Sequence, residues 1–198
     1  MSFRLVAFLL GAALAAQAQV TQQRLLNADK EPQNWLTYGG NFSSLRYTTL
    51  SQINQSNVKD MQLQWAFQQR STEKFESTPL VVDGMMYVTQ APNDIFALDA
   101  VTGEIKWMYS HSPSREARPC CGRVNRGVAI LGNTLYMGTI DAHLLALDAR
   151  DGKVLWDIDT VHDYNAVNGI KGKGGSIDGP GPVIVNGMVF VNSGYSRY

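Results

Sequence analysis

The side chains best suited to chemistry gather in RPCCGRVNRG, which begins at Arg118 and holds both cysteines of the chain, Cys120 and Cys121. Adjacent cysteines close an eight-membered ring only by distorting the peptide between them, and strain of that kind collects at functional sites. Two other states are open to them: a pair of free buried thiols, or a bond from one of them to a cysteine outside this sequence. The redox compartment weighs on the choice. The opening residues MSFRLVAFLLGAALAAQAQ set Arg4 ahead of an apolar run from Leu5 to Ala16, followed by Ala16-Gln17-Ala18. That small-x-small pattern is one a signal peptidase accepts, so residues 1–18 are expected to be a secretory signal cut after Ala18. The apolar run falls short of the roughly 20 residues that cross a bilayer core, so no membrane span is expected after its removal. An exported chain lives where disulfides persist.

Other chemistries leave less trace. His111, His143 and His162 share no ligand spacing, and His143 falls inside a predicted strand, which argues against a zinc site. The sequence has no Cys-x-x-Cys-His for covalent haem, no phosphate loop and no Gly-x-Gly-x-x-Gly, so a nicotinamide cofactor is not suggested. Seventeen basic side chains balance seventeen acidic ones in 198 residues, and 44% of the chain is hydrophobic. Such a balance carries no electrostatic footprint for nucleic acid or an anionic membrane.

The elements that must position the cysteines are repeats. ALDAVTGEIKWMY from Ala97 and ALDARDGKVLWDI from Ala146 both read Ala-x-Asp-x-x-x-Gly-x-x-x-Trp, and their starts lie 49 residues apart (97 to 146). Ahead of each is a hairpin pattern, LVVDGMMYVTQ turning at Asp83-Gly84 and VAILGNTLYMGT turning at Gly132-Asn133. A third copy starts at PVIVNGMVFVNSG, with Asn186-Gly187 as its turn. Asn, Asp and Gly supply the positive φ angles of two-residue hairpin turns, and four short strands per period make one propeller blade. Ala97 and Ala146 are small enough to lie under a neighbour, Asp99 and Asp148 can bond the turn backbone, and Trp107 and Trp156 are expected to fill the gaps between blades. MQLQWAFQ around Trp65 reads as one strand of a further blade. The expected fold is therefore an all-β propeller of four-stranded blades, with residues 19–198 as the N-terminal portion of a longer protein.

These repeats, with WLTYGGNFSSLRYTTLSQINQSNV from Trp35, resemble the quinoprotein alcohol dehydrogenases, and RPCCGRVNRG sharpens the likeness. The resemblance runs from Asn34 to Tyr198. It implies an eight-bladed propeller when complete, with pyrroloquinoline quinone (PQQ) as cofactor. It also implies that Cys120 and Cys121 form a vicinal disulfide against one face of the quinone, that Arg126 reaches the reactive carbonyl, and that Glu76 hydrogen-bonds the quinone edge. A guanidinium in that place stabilises the negative charge that grows on the oxygen as the quinone is reduced. Ser193-Gly194 resembles the Ser-Gly of the family's cofactor-carboxylate and metal region. Where methanol dehydrogenases carry a glutamate ligand to calcium, this chain has Ser196, a weaker ligand for a hard cation. Calcium is thus implied by the family, with its ligands unknown. Asp178 is either a substitute carboxylate or a turn cap, and Lys171 and Lys173 belong to a solvated glycine loop or to an anionic cofactor edge. The function implied is periplasmic oxidation of a small-molecule alcohol, with electrons passing to a cytochrome c. The competing reading is a non-catalytic propeller of the same repeat, serving as an envelope scaffold or binding module.

Overall fold

A computed structural model describes residues 19–194. Its first blade is a four-stranded antiparallel sheet of β1 (Leu80–Val82), β2 (Met85–Gln90), β3 (Asp94–Asp99) and β4 (Ile105–Ser110), ordered along the chain. The second has the same order in β5 (Ala129–Leu131), β6 (Thr134–Gly138), β7 (His143–Asp148) and β8 (Val154–Asp159). An exposed hairpin of β9 (Asp163–Asn165) and β10 (Lys171–Lys173) then leads to β11 (Val183–Val185) and β12 (Met188–Phe190), which open a third blade. The fold is the expected β-propeller. Residues 1–18, expected to be a secretory signal, and Ser196 lie outside the described residues.

Turn chemistry sets the hairpins. Asp83 (φ 49°) and Gly84 (φ 86°) both take positive φ, the twist that keeps Val82 opposite Met85 in a two-residue connection. The middle strands are buried on both faces, including Ile95, Phe96, Ala97 and Leu98 of β3 and Leu145, Ala146 and Leu147 of β7. They read as continuous apolar runs for that reason.

The repeat's glycine and tryptophan work between blades. Gly152, in the β7–β8 turn, has φ 74°, and a Cβ there would stand 2.6 Å from the Trp107 ring of the preceding blade. The indole lies flat on bare backbone, and its Nε1 donates to the Ala149 carbonyl at 3.1 Å. The Tyr87 hydroxyl donates to the same carbonyl at 3.0 Å, and burial pushes its pKa up to about 12. Trp65 sits on Gly103 in the same way. The segment around Trp65 nevertheless pairs with no strand among the described residues, because a ladder needs a hydrogen-bonding neighbour. Asp99 caps its turn as anticipated, with Oδ1 accepting the N–H groups of Val101 and Thr102.

An N-terminal strap ties the blades together. Val20 pairs with Gly132 and Trp35 with Val81, while the Gln22 side chain accepts the N–H of Asn186. Arg24 binds Glu31 at 2.6 Å and Asp83 at 2.8 Å, so one guanidinium joins the short helix α1 (Gln22–Leu26), the turn after it and the first blade's hairpin. Both carboxyls are held below their ordinary range, first by the hydrogen bond from Arg24.

Blade stacking also assembles a titratable cluster that sequence spacing does not reveal. The His111 and His143 rings lie 5.5 Å apart. His111 Nε2 is 3.0 Å from the buried Asp141 carboxylate, and His143 Nδ1 is 2.7 Å from Asp157. Burial raises the Asp141 carboxyl, but bonds from His111, Thr139 and the Ser114 N–H outweigh it and bring the pKa to about 2. The hydrogen bond to Asp141 in turn raises His111. A raised imidazole contributes stability that is fully present below its unfolded value of about 6.5 and is lost as pH rises through the folded value. His111→Gln is therefore expected to flatten the decline in urea midpoint across that window. An unchanged slope would show that the pair does not couple to folding.

Candidate functional site

Three loops build the site, each entering the first strand of a blade: residues 74–78 before β1, 120–127 before β5 and 178–181 before β11. They are on the opposite ends of these strands from the hairpin turns that the strap crosses. The backbones run in contact. A Cβ on Gly181 would stand 3.1 Å from the Gly127 carbonyl oxygen, so glycine sets the approach of the third loop to the second. Buried Asn125 fixes the second loop by donating to the Gly138 carbonyl at 3.0 Å and accepting the Gly127 N–H at 3.0 Å.

The convergence places Arg126 between two partners. Its Nη2 lies 3.0 Å from Glu76 Oε2, and its Nη1 donates to the Asp178 carbonyl. The residues assigned to the site from sequence thus come together in part: Cys120, Cys121, Arg126 and Glu76 form one group. Both cysteines are exposed thiols in this structure, with sulfurs 2.6 Å apart. The hydrogen bond from Cys120 raises the Cys121 thiol, while the charges of Arg126 and Lys74 act the other way. A cavity of about 370 Å³ opens beside them, lined by Tyr38, Cys120, Cys121, Arg126, Asp178, Gly179 and Pro180. The Tyr38 ring is itself capped by the Arg46 guanidinium, 5.0 Å from its centroid.

Ser193 and Gly194 are placed elsewhere. The Ser193 hydroxyl accepts the Gly175 N–H at 2.9 Å and lies 2.8 Å from Thr160 Oγ1, and the Gly194 N–H donates to the Ser176 carbonyl. They anchor the loop that leads to Asp178 and do not line the cavity. Asp178 is not a local turn cap: its Oδ2 accepts the N–H of Cys120, 58 residues away. Lys171 and Lys173 lie on the exposed hairpin, and Arg123 is exposed. Sequence reading missed Tyr38, although its motif was noticed, and Lys74, which nothing local distinguishes. No group of three or more His, Cys, Asp or Glu side chains among the described residues is placed to hold a metal ion.

Residues 35–189 match the family described as the glucose/ethanol/alcohol dehydrogenase β-propeller domain of the PQQ enzymes. The chain belongs to that family. A curated relative of this PQQ family is the dehydrogenase subunit of the quinone alcohol dehydrogenase of Gluconacetobacter polyoxogenes, 38% identical over 90% of this chain and 24% of its own length. Another is the quinohemoprotein alcohol dehydrogenase ADH-IIG of Pseudomonas putida, 37% identical over 94% of this chain and 25% of its own. The chain therefore spans about a quarter of the length of the curated PQQ relatives it matches. The solved structure of the Pseudomonas putida HK5 enzyme ADHIIG superposes with a TM-score of 0.75 at 36% identity, over 87% of this chain and 24% of that one. A europium-containing methanol dehydrogenase gives 0.72 at 34%, over 86% and 29%. Among the described residues no helix is long and apolar enough to cross a membrane.

Proposed function

We propose that residues 19–198 are the N-terminal blades of a periplasmic quinoprotein dehydrogenase, which oxidises a small alcohol with PQQ and passes electrons to a cytochrome c. Residues 1–18 are its secretory signal. The observation that carries the reading is the Arg126–Glu76 pair, 3.0 Å apart, next to the adjacent sulfurs of Cys120 and Cys121 at a cavity of about 370 Å³. Cofactor-sized sites span roughly 300–1,000 Å³, lined by apolar walls with a few placed polar groups.

The donor set fits one side of such a cofactor. Two polarisable sulfurs and the Tyr38 ring offer flat walls, and Arg126 supplies positive charge for an anionic group at the rim. When bound, PQQ supplies the two-electron acceptor. The chain's own residues do the rest. Arg126 keeps a cation where negative charge develops, Glu76 and the Asp178 carbonyl hold its guanidinium, and the Cys120-Cys121 pair, closed as a vicinal disulfide, excludes water from one face. Ser193 and Gly194 act on the cofactor side through the loop they anchor. A hard cation, calcium or a lanthanide as in the europium-containing relative, belongs to the same reading, with ligands outside the described residues.

Anaerobic titration of PQQ into the full-length protein, with and without calcium, tests this. Absorbance should report binding, and a dye should be reduced when a short primary alcohol is added. No binding under either condition would leave a propeller scaffold in place of an enzyme.

A further inference from the structure

The Cys120-Cys121 dipeptide carries a full charge at each end. Asp178 Oδ2 accepts the N–H of Cys120 at 3.1 Å, and Lys74 Nζ donates to the carbonyl of Cys121 at 3.1 Å. The signs are complementary, an anion on the donor end of the dipeptide and a cation on its acceptor end. Neither contact follows from a local turn, since the partners lie 58 and 47 residues away and precede the first strands of different blades. Hydrogen bonds to ionised groups are roughly twice as strong as neutral ones. The Lys74 stem also packs over Gly122, where a Cβ would stand 3.7 Å from its Cδ. Asp178 has a second task, because its main-chain carbonyl accepts from Arg126. One residue thus sets the sulfur pair and the guanidinium in a common frame.

We propose that Lys74 and Asp178 are positioning residues: a two-ended electrostatic clamp that holds Cys120 and Cys121 with their sulfurs adjacent and favours closure of the vicinal disulfide. Closing so small a ring restricts the backbone on both sides of the central peptide. A backbone already pinned at both ends loses less freedom on closure. The role of the closed pair in holding a quinone rests on the function proposed above, whereas the closure equilibrium stands apart from it.

The reaction that reads the clamp is exchange with a dithiol reagent. The two cysteine thiols form one S–S bond and lose two protons and two electrons, and the cyclic disulfide of oxidised dithiothreitol takes them up to become the dithiol. Full-length protein and its variants are equilibrated in dithiothreitol redox buffers, alkylated, and the closed fraction read by mass. Lys74→Met and Asp178→Asn together are expected to lower the closure constant about tenfold, equivalent to about 30 mV for a two-electron couple. Each alone should lower it about threefold, and Lys74→Arg, which keeps the charge and a donor, should stay within about twofold of the parent. A closure constant unchanged in the double variant, a parent that never closes, or a Lys74→Arg protein that falls as far as Lys74→Met would each overturn the clamp. Should Asp178→Asn fail to fold by circular dichroism, the comparison of Lys74→Met with Lys74→Arg decides alone, since Lys74 is exposed. PQQ titration of the same samples separates the two readings. Loss of quinone binding in the parent sinks the dehydrogenase and leaves the thiol measurement to judge the clamp.

Discussion

Replacing Arg126 with lysine in the full-length protein is expected to lower turnover of a primary alcohol by about 10²–10³, the cost of deleting one preorganised donor at a developing oxyanion. The thermal midpoint should barely move. A guanidinium carries five N–H donors in a rigid fork. Here Nη2 serves Glu76 at 3.0 Å and Nη1 serves the Asp178 carbonyl, and the side chain still lines the cavity. Lysine offers a point charge that can satisfy Glu76 or face the cavity, but cannot do both in a fixed plane. The stability cost is small because the Glu76 side chain is 37% exposed, and ion pairs so open to water contribute at most about 1 kcal/mol. The loss should fall on kcat and on kcat/KM alike, as it does when an interaction belongs to the transition state. A rise in KM with kcat intact would make Arg126 a binding residue only, and unchanged kinetics would remove it from the mechanism.

That Arg126 could be grouped with Cys120 and Cys121 from sequence, while the contacts that Lys74 and Asp178 make with them could not, follows from how a propeller is wired. Arg126, Cys120 and Cys121 share one short loop, so the motif shows them together. The strands of the two full blades are equally legible, because hairpin turns such as Asp83-Gly84 and the repeat ending in Trp107 or Trp156 are local patterns, whereas the segment around Trp65 resembles a strand but has no partner among the described residues. Contacts between blades are different in kind. Each loop reaches its neighbour across a whole blade of chain, as Asp178 reaches Cys120 over 58 residues, and no periodicity records which side chain points across. The His111 and His143 rings meet at 5.5 Å by the same stacking, without any ligand-like spacing. Ser193 illustrates the converse: a dipeptide that resembles a cofactor contact spends its hydroxyl on Thr160 and Gly175. Sequence shows that a serine is available, and only the fold shows where its hydroxyl is directed.

The repeat itself can be tested through its inter-blade seat. Trp107→Ala is expected to destabilise the protein by about 3 kcal/mol, the low end for deleting a large aromatic, because the indole is only half-buried. Gly152→Ala should destabilise it too, for two separable reasons. The new Cβ would stand 2.6 Å from the Trp107 ring, and φ 74° places an L side chain in the left-handed region, worth about 1–2 kcal/mol. With alanine at both positions the collision is gone while the backbone cost persists. The double variant should therefore lose clearly less than the sum of the singles, by about 1–2 kcal/mol of coupling in urea titrations at constant m-value. Additive losses would mean that Gly152 is required by its backbone conformation alone. Coupled losses would mean that glycine and tryptophan, spaced along the chain by almost a whole blade, form one joint, which explains why the repeat carries both.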